Sequence, residues 1–213
     1  MKKSLFLLPI LVLLSACGTK NVTPSPDGGN DITENPDTPV EPEVTYVEKQ
    51  ETFSFKGVFA TSGANVFTTN PLAALKGVFG TLLDDTNEEG ITGSSCAFQY
   101  VGGESPTSLC VGTGSYGGEI NFKFNYDIKA ISFTIQSYYK PYNTTLGVDI
   151  ASEMTVEGVN YDLSSDGTSV PMEESHTYTL PSAKKTLSFS NSAAKHRAYL
   201  HELTITYLQP QAE

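Results

Sequence analysis

From Glu119 to Ile128 the chain alternates without a break. Ile120, Phe122, Phe124, Tyr126 and Ile128 are apolar, and Glu119, Asn121, Lys123, Asn125 and Asp127 are polar. A period of two sends successive side chains to opposite faces, so this stretch predicts a half-buried antiparallel strand. After Lys129-Ala130 the phase flips and Ile131, Phe133, Ile135, Ser137 and Tyr139 continue on odd positions, which predicts a tight turn or a bulge. The same period recurs in Leu146-Val148-Ile150, Met154-Val156, Val159-Tyr161-Leu163, Tyr178-Leu180, Leu187-Phe189 and Leu203-Ile205-Tyr207. Short strands at this spacing predict a β-sandwich or barrel.

Turn chemistry falls between these strands: Gly117-Gly118 before the long one, Glu157-Gly158 between two strand halves, and Asp166-Gly167 in a loop. Pro71 to Leu83 breaks the pattern, with Leu72, Leu75, Phe79 and Leu82 at helical spacing behind Asn70-Pro71. Gly77 and Gly80 each weaken a helix by about 1 kcal/mol relative to alanine, so a short helix and an irregular apolar loop both fit. Cys96 and Cys110 face each other if their strands pair around Gly103, which allows a disulfide worth about 3 kcal/mol in the chain-entropy model. Two buried free thiols are the alternative.

Ahead of the strands, Met1-Lys2-Lys3 is followed by an apolar run from Leu5 to Leu14. This is the layout of an export signal, and the run is about half the ~20 residues a membrane-spanning helix needs. Its end, Leu14-Ser15-Ala16-Cys17-Gly18, resembles the lipobox of bacterial lipoproteins. The resemblance implies cleavage after residue 16 and a thioether-linked diacylglycerol on Cys17. At ~0.8 kcal/mol per buried CH₂, two or more acyl chains make attachment effectively permanent. The expected place is therefore extracytoplasmic, lipid-anchored to the cell membrane or an outer membrane; Gly18 rather than aspartate hints at the outer one. Residues 17–45 follow as the lipidated cysteine and a tether. Five prolines stiffen it, six acidic residues make it self-repelling, and it lacks the apolar surface that would offset ordering entropy. Residues 46–213 are expected to form one domain with its own core.

Charge narrows the partners. Apart from Lys2, Lys3, Lys20 and the six tether acids, 10 basic residues face 18 acidic ones. A nucleic-acid partner would need a basic stripe, and headgroup adhesion beyond the anchor would need a basic patch; neither is present in the sequence.

Two stretches carry a family likeness. Cys110-Val-Gly-Thr-Gly-Ser-Tyr-Gly-Gly118 runs into the long strand, and Arg197-Ala-Tyr-Leu-His-Glu-Leu-Thr-Ile-Thr-Tyr207 closes the chain, with a Val156-Glu-Gly-Val159 hairpin between them. From about Ser108 to Leu208 this resembles the jelly-roll, galactose-binding-like β-sandwich modules of bacterial surface lipoproteins and carbohydrate-active proteins. The resemblance implies a binding module whose ligand is held by loops at one sandwich edge or by a concave sheet. It assigns no individual residue.

Candidate ligand residues come from the chain itself. Tyr138-Tyr139-Lys140-Pro141-Tyr142-Asn143 places tyrosines where a strand runs into a loop. Alternation turns Tyr139 inward and leaves Tyr138 and Tyr142 to stack on sugar C–H faces, with Asn143 as a hydrogen-bonding partner. Tyr116, beside Ser115 and Gly117, is a fourth candidate. Asp84, Asp85, Asn87 and Glu89 concentrate oxygen ligands in one loop and suit a structural calcium, although Cys96 stands where an EF-hand requires its twelfth-position glutamate. His176, His196 and His201 form no zinc spacing, and neither a Gly-x-Ser-x-Gly elbow nor a phosphate-binding glycine loop is present. The expectation is an all-β protein, an antiparallel β-sandwich of jelly-roll type with at most one short helix. It is expected to bind a glycan without chemistry and without a cofactor beyond calcium. An adhesive envelope protein with a protein partner, and then a glycoside hydrolase, are the alternatives.

Overall fold

A computed structural model describes residues 44–59, 64–65, 71–84, 90–101, 104–138, 142–143, 148–149, 152–163 and 173–211, all within one unit, Glu43–Glu213. The signal segment, Cys17 and the tether up to residue 43 lie outside the described residues. The strands are β1 (Tyr46–Ser54), β2 (Ala64–Asn65), β3 (Ile91–Ser94), β4 (Cys96–Val101), β5 (Glu104–Val111), β6 (Gly118–Ser137), β7 (Tyr142–Asn143), β8 (Val148–Asp149), β9 (Glu153–Val156), β10 (Val159–Asp162), β11 (Glu173–Asn191) and β12 (Ala198–Pro210). A single helix among the described residues, α1 (Pro71–Phe79), continues as one 3-10 turn, Gly80–Leu82. The fold is the expected all-β, antiparallel, jelly-roll sandwich with one short helix.

Hydrogen bonding joins ten strands into one curled sheet in the order β10-β9-β11-β6-β12-β5-β4-β2, with β1 added to β12 and β3 to β6, while β7 and β8 form a separate pair. β6 is the spine. Its first half pairs with β3 and the end of β11, and its second half pairs with β12 and the start of β11. The phase flip of the sequence is a bulge rather than a turn. Thr206 pairs with Ala130 and Tyr207 with Ile128, which leaves Lys129 as the extra residue. An inserted residue reverses which parity faces inward, so Ile120, Phe122, Phe124 and Ile128 before it, and Ile131, Phe133 and Ile135 after it, line one core.

α1 closes that core. Its Leu75 and Phe79 are buried, and the Phe79 ring lies 4.9 Å from Phe53, 5.1 Å from Phe122 and 5.5 Å from Phe124. Burying each such ring is worth on the order of 2 kcal/mol, more than the cost of Gly77 in the helix, which explains why the apolar spacing prevails over the glycine.

Of the two readings left open for the cysteines, the disulfide is not formed and the buried free thiols are. Cys96 and Cys110 are free and buried. Cys96 pairs with Val111 and Ala97 with Cys110, because an irregularity between Tyr100 and Val101 shifts the hairpin by one residue from a turn centred on Gly103. In an antiparallel ladder a one-residue offset puts the two side chains on opposite faces of the sheet, so the thiols cannot meet.

Candidate functional site

The loops at one end of the sandwich are tied together by Asn191, which closes β11 and is 5% exposed. Its Oδ1 accepts from Gly118 N at 2.6 Å, and its Nδ2 donates to Val111 O at 2.7 Å and His196 O at 3.1 Å. One amide thus joins the end of β5, the start of β6 and the loop before β12. The glycines around it are required. A Cβ at Gly118 would lie 2.1 Å from the Gly112 nitrogen, and Gly112 holds φ +90 with its Cβ position 2.5 Å from Asn191 Nδ2.

Between β5 and β6 the loop is closed by Thr113. Its Oγ1 accepts from Ser115 N at 3.1 Å and Tyr116 N at 2.9 Å, its own N–H donates to Tyr116 O at 2.9 Å, and Lys195 N donates to its carbonyl at 3.1 Å. This is a local Ser/Thr turn. It presents Tyr116, which is 70% exposed.

Arg197 connects this loop to the end of β6. Its guanidinium carbon is 3.6 Å from the centre of the Tyr138 ring, and a Cβ at Gly114 would lie 3.6 Å from one of its terminal nitrogens. Tyr138 in turn stacks on Tyr199 at 5.5 Å and 27°, and Tyr199 on His201 at 5.8 Å and 16°. Tyr199 is fully buried and its hydroxyl donates to Tyr100 O at 2.7 Å. The four planar groups form a ladder along the face of the sheet opposite the core. Tyr138 is therefore held in a stack, with the guanidinium over its ring, while Tyr116 is the ring open to solvent.

The ladder ends in a buried polar cluster. His201, 1% exposed, has Nδ1 2.9 Å from Ser108 Oγ and Nε2 2.7 Å from Gln136 Oε1, and Ser108 also donates to Leu200 O at 2.9 Å. A neutral ring satisfies Gln136 by carrying its proton on Nε2, leaving Nδ1 to compete with Leu200 O for the Ser108 proton. Burial pushes the His201 pKa down to about 4, and Glu173, whose Oε1 is 3.9 Å away, offsets part of that effect. Lys56 pairs with Glu173 at 2.5 Å and holds its carboxyl below the usual range. A Ser–His contact invites comparison with a nucleophile and its base. Here Ser108 is 0% exposed, so its oxygen is closed to any external carbonyl.

Of the residues singled out in the sequence, Tyr138 lies under Arg197, and Tyr116 stands on the loop whose Gly114 is beside the same guanidinium. Tyr142 and Asn143 lie in β7, with Tyr142 opposite Asp149 and Asn143 opposite Val148; their side chains are outside the described residues. Asp84 pairs with Lys123 at 3.0 Å, and Asp85, Asn87 and Glu89 lie outside the described residues. Among the described residues no group of histidine, cysteine and carboxylate side chains is arranged to hold a metal. Asn191, Arg197 and the Ser108–His201–Gln136 cluster were missed in the sequence. Arg197 carried a usable signal as the only arginine in the chain, beside a strand with tyrosine at the second position.

No protein-family model matches the chain, and no curated protein sequence is similar to it. Among solved structures it is similar to a family two carbohydrate esterase from Cellvibrio japonicus (TM-score 0.35, 10% identity, 78% of this chain and 37% of that one). A family 35 carbohydrate binding module from an environmental isolate gives TM-score 0.34 and 12% identity, covering 76% of this chain and 98% of that one. The catalytic domain of a GH87 alpha-1,3-glucanase in complex with nigerose gives TM-score 0.34 and 11% identity, covering 77% and 29%. The chain thus spans about a third of the esterase and of the glucanase chain.

Proposed function

We propose that this chain is a lipid-anchored surface protein whose sandwich binds a glycan without converting it, at the loop end built around Asn191. The observation that carries the reading is the exposed Tyr116 on a loop whose Gly114 lies beside Arg197, itself seated over Tyr138, with the neighbouring strand ends fixed by the buried Asn191 amide. An exposed tyrosine offers a sugar an apolar face and a hydroxyl on a side chain with few rotamers to freeze. The rigid loop keeps the entropic cost of binding low. The anchor is argued from Leu14-Ser15-Ala16-Cys17, which would leave the acylated cysteine as the first residue of a tethered module. Closure from solvent keeps the Ser108–His201 pair from acting as a nucleophile and its base.

A glycan array probed with the full chain tests this. Tyr116→Ala is expected to weaken a hit about 10-fold or more at unchanged melting temperature, in line with loss of one stacking contact of 1–2 kcal/mol. A hit equally strong in Tyr116→Ala and Tyr138→Ala would remove the site from this end. Retrieval of an envelope protein with no glycan bound would favour an adhesive role instead.

A further inference from the structure

Beyond the buried His201 cluster, the same outer face continues onto four strands, β1, β12, β6 and β11, whose registers line up in three rows. The first is Ser54, Glu202, Thr134 and Ser175; the second Thr52, Thr204, Ser132 and Thr177; the third Gln50, Thr206, Ala130 and Thr179. Nine of these twelve positions carry a hydroxyl, none is large and apolar, and all are exposed or half-buried. Hydroxyls bond across the strands, Thr52 to Thr204 at 2.8 Å and Thr134 to Ser175 at 3.1 Å, and Gln50 Nε2 donates to Thr206 Oγ1 at 3.3 Å. With strands about 4.8 Å apart and same-face residues about 6.7 Å apart, the rows cover roughly 14 by 13 Å.

A surface of ordinary composition would place about three or four charges on twelve positions. This one carries Glu202 alone. Ion pairs stand at its two ends instead, Lys56 with Glu173 beyond the first row and Lys129 with Glu48 beyond the third. In a chain with net charge -11, a field with a single charge, framed by paired charges, selects its partner. It lacks the apolar core of a protein interface, the basic groups of a nucleic-acid or lipid-headgroup surface, and the cations an acidic polymer would require. What matches it is a ligand that is itself uncharged and rich in groups that both donate and accept hydrogen bonds. Among the described residues no strand pairs with the outer edge of β1, and β9 meets β11 only at Phe189 and Ser190, so no described strand extends the field on either side.

We propose that this four-stranded hydroxyl face is a second binding surface, taking an extended neutral polysaccharide laid along the sheet. The proposal rests on the glycan reading above and sets its ligand class, an uncharged polymer rather than a sugar terminus. The face contains no aromatic ring, so its contribution is a modest one that grows with chain length.

Affinity electrophoresis of the full chain in a β-glucan, a mannan and an α-glucan, with polygalacturonate as the acidic control, tests it. Thr52→Lys/Thr177→Lys places two charges on exposed outer strands where folding tolerates them, and Thr204→Val removes one central hydroxyl while keeping its shape. Retarded migration is expected in at least one neutral gel. The lysine pair should lower that affinity about 10-fold or more and Thr204→Val about 3-fold, while binding of the matching disaccharide stays unchanged. Equal binding by wild type and the lysine pair, or a preference for polygalacturonate, would overturn the proposal and leave glycan binding at the loop end standing. Binding to no glycan, with all proteins folded, would overturn both.

Discussion

At the scale of single residues, His201 brings the sharpest consequence. It is enclosed with Ser108 from β5, Gln136 from β6, Glu173 from β11 and Lys56 from the turn after β1, and its folded pKa of about 4 lies below the usual 6.5. Between those values the unfolded chain holds the extra proton, so stability rises with pH across that window. Its contribution is fully present above about pH 6.5 and is lost as pH falls toward 4; it is at most on the order of 3 kcal/mol. Glu173, held low by Lys56, acts in the same direction, because a depressed carboxylate stabilises above its unfolded pKa and stops doing so as pH falls. Urea midpoints at pH 4.5 and 7 should therefore differ clearly in the wild type and by less in His201→Gln. Equal slopes would mean that the ring is charged in the fold. The sequence placed His201 in the closing strand as a satisfied histidine, which it is, but not its partners: they lie 65 and 93 positions away, and only the register of three strands assembles them.

At the scale of elements, local pattern succeeded where one face meets one core. β6 was legible residue by residue, and its phase flip marked a real bulge, because period-two burial is set by the strand's own sequence. The sequence left Pro71 to Leu83 open between a short helix and an irregular loop, and burial of Leu75 and Phe79 in α1 decides for the helix. The β4–β5 hairpin was not, since its register depends on a loop irregularity that leaves no alternation to read. The thiols expose that error directly. Both are buried, on opposite faces, with pKa values pushed up to about 12 by burial. Ellman's reagent should find Cys96 and Cys110 unreactive in the folded chain and fully reactive in urea without any reductant, because thiol–disulfide exchange requires an accessible thiolate. Thiols that appear only after reduction would restore the disulfide and contradict the register. The candidate site shows the same limit. Tyr116 and Tyr138 were singled out because tyrosines beside a turn or a strand end stand out locally, while Asn191 and Arg197 act by joining loops distant in sequence.

At the scale of the whole molecule, the two proposed surfaces share one outer face, with Tyr116 and Arg197 at the loop end and the hydroxyl rows along the strands. Each is weak taken alone, since one exposed ring and a set of solvated hydroxyls add little net free energy per contact. Display on a membrane changes this. If the proposed acylation of Cys17 holds the module at the surface, many copies would engage one polymer and each further contact would form at a raised effective concentration. Apparent affinity on cells should then exceed that of the isolated soluble chain by ~10²-fold or more for a long polymer and not at all for a disaccharide. Cys17→Ser should abolish radiolabelled palmitate incorporation and cell-surface polymer capture together, while leaving the purified protein's disaccharide affinity as it was. Polymer capture that persists after Cys17→Ser would show that neither the anchor nor multivalency drives retention at the surface. Capture lost along with disaccharide affinity would instead tie Cys17 to the folding of the domain.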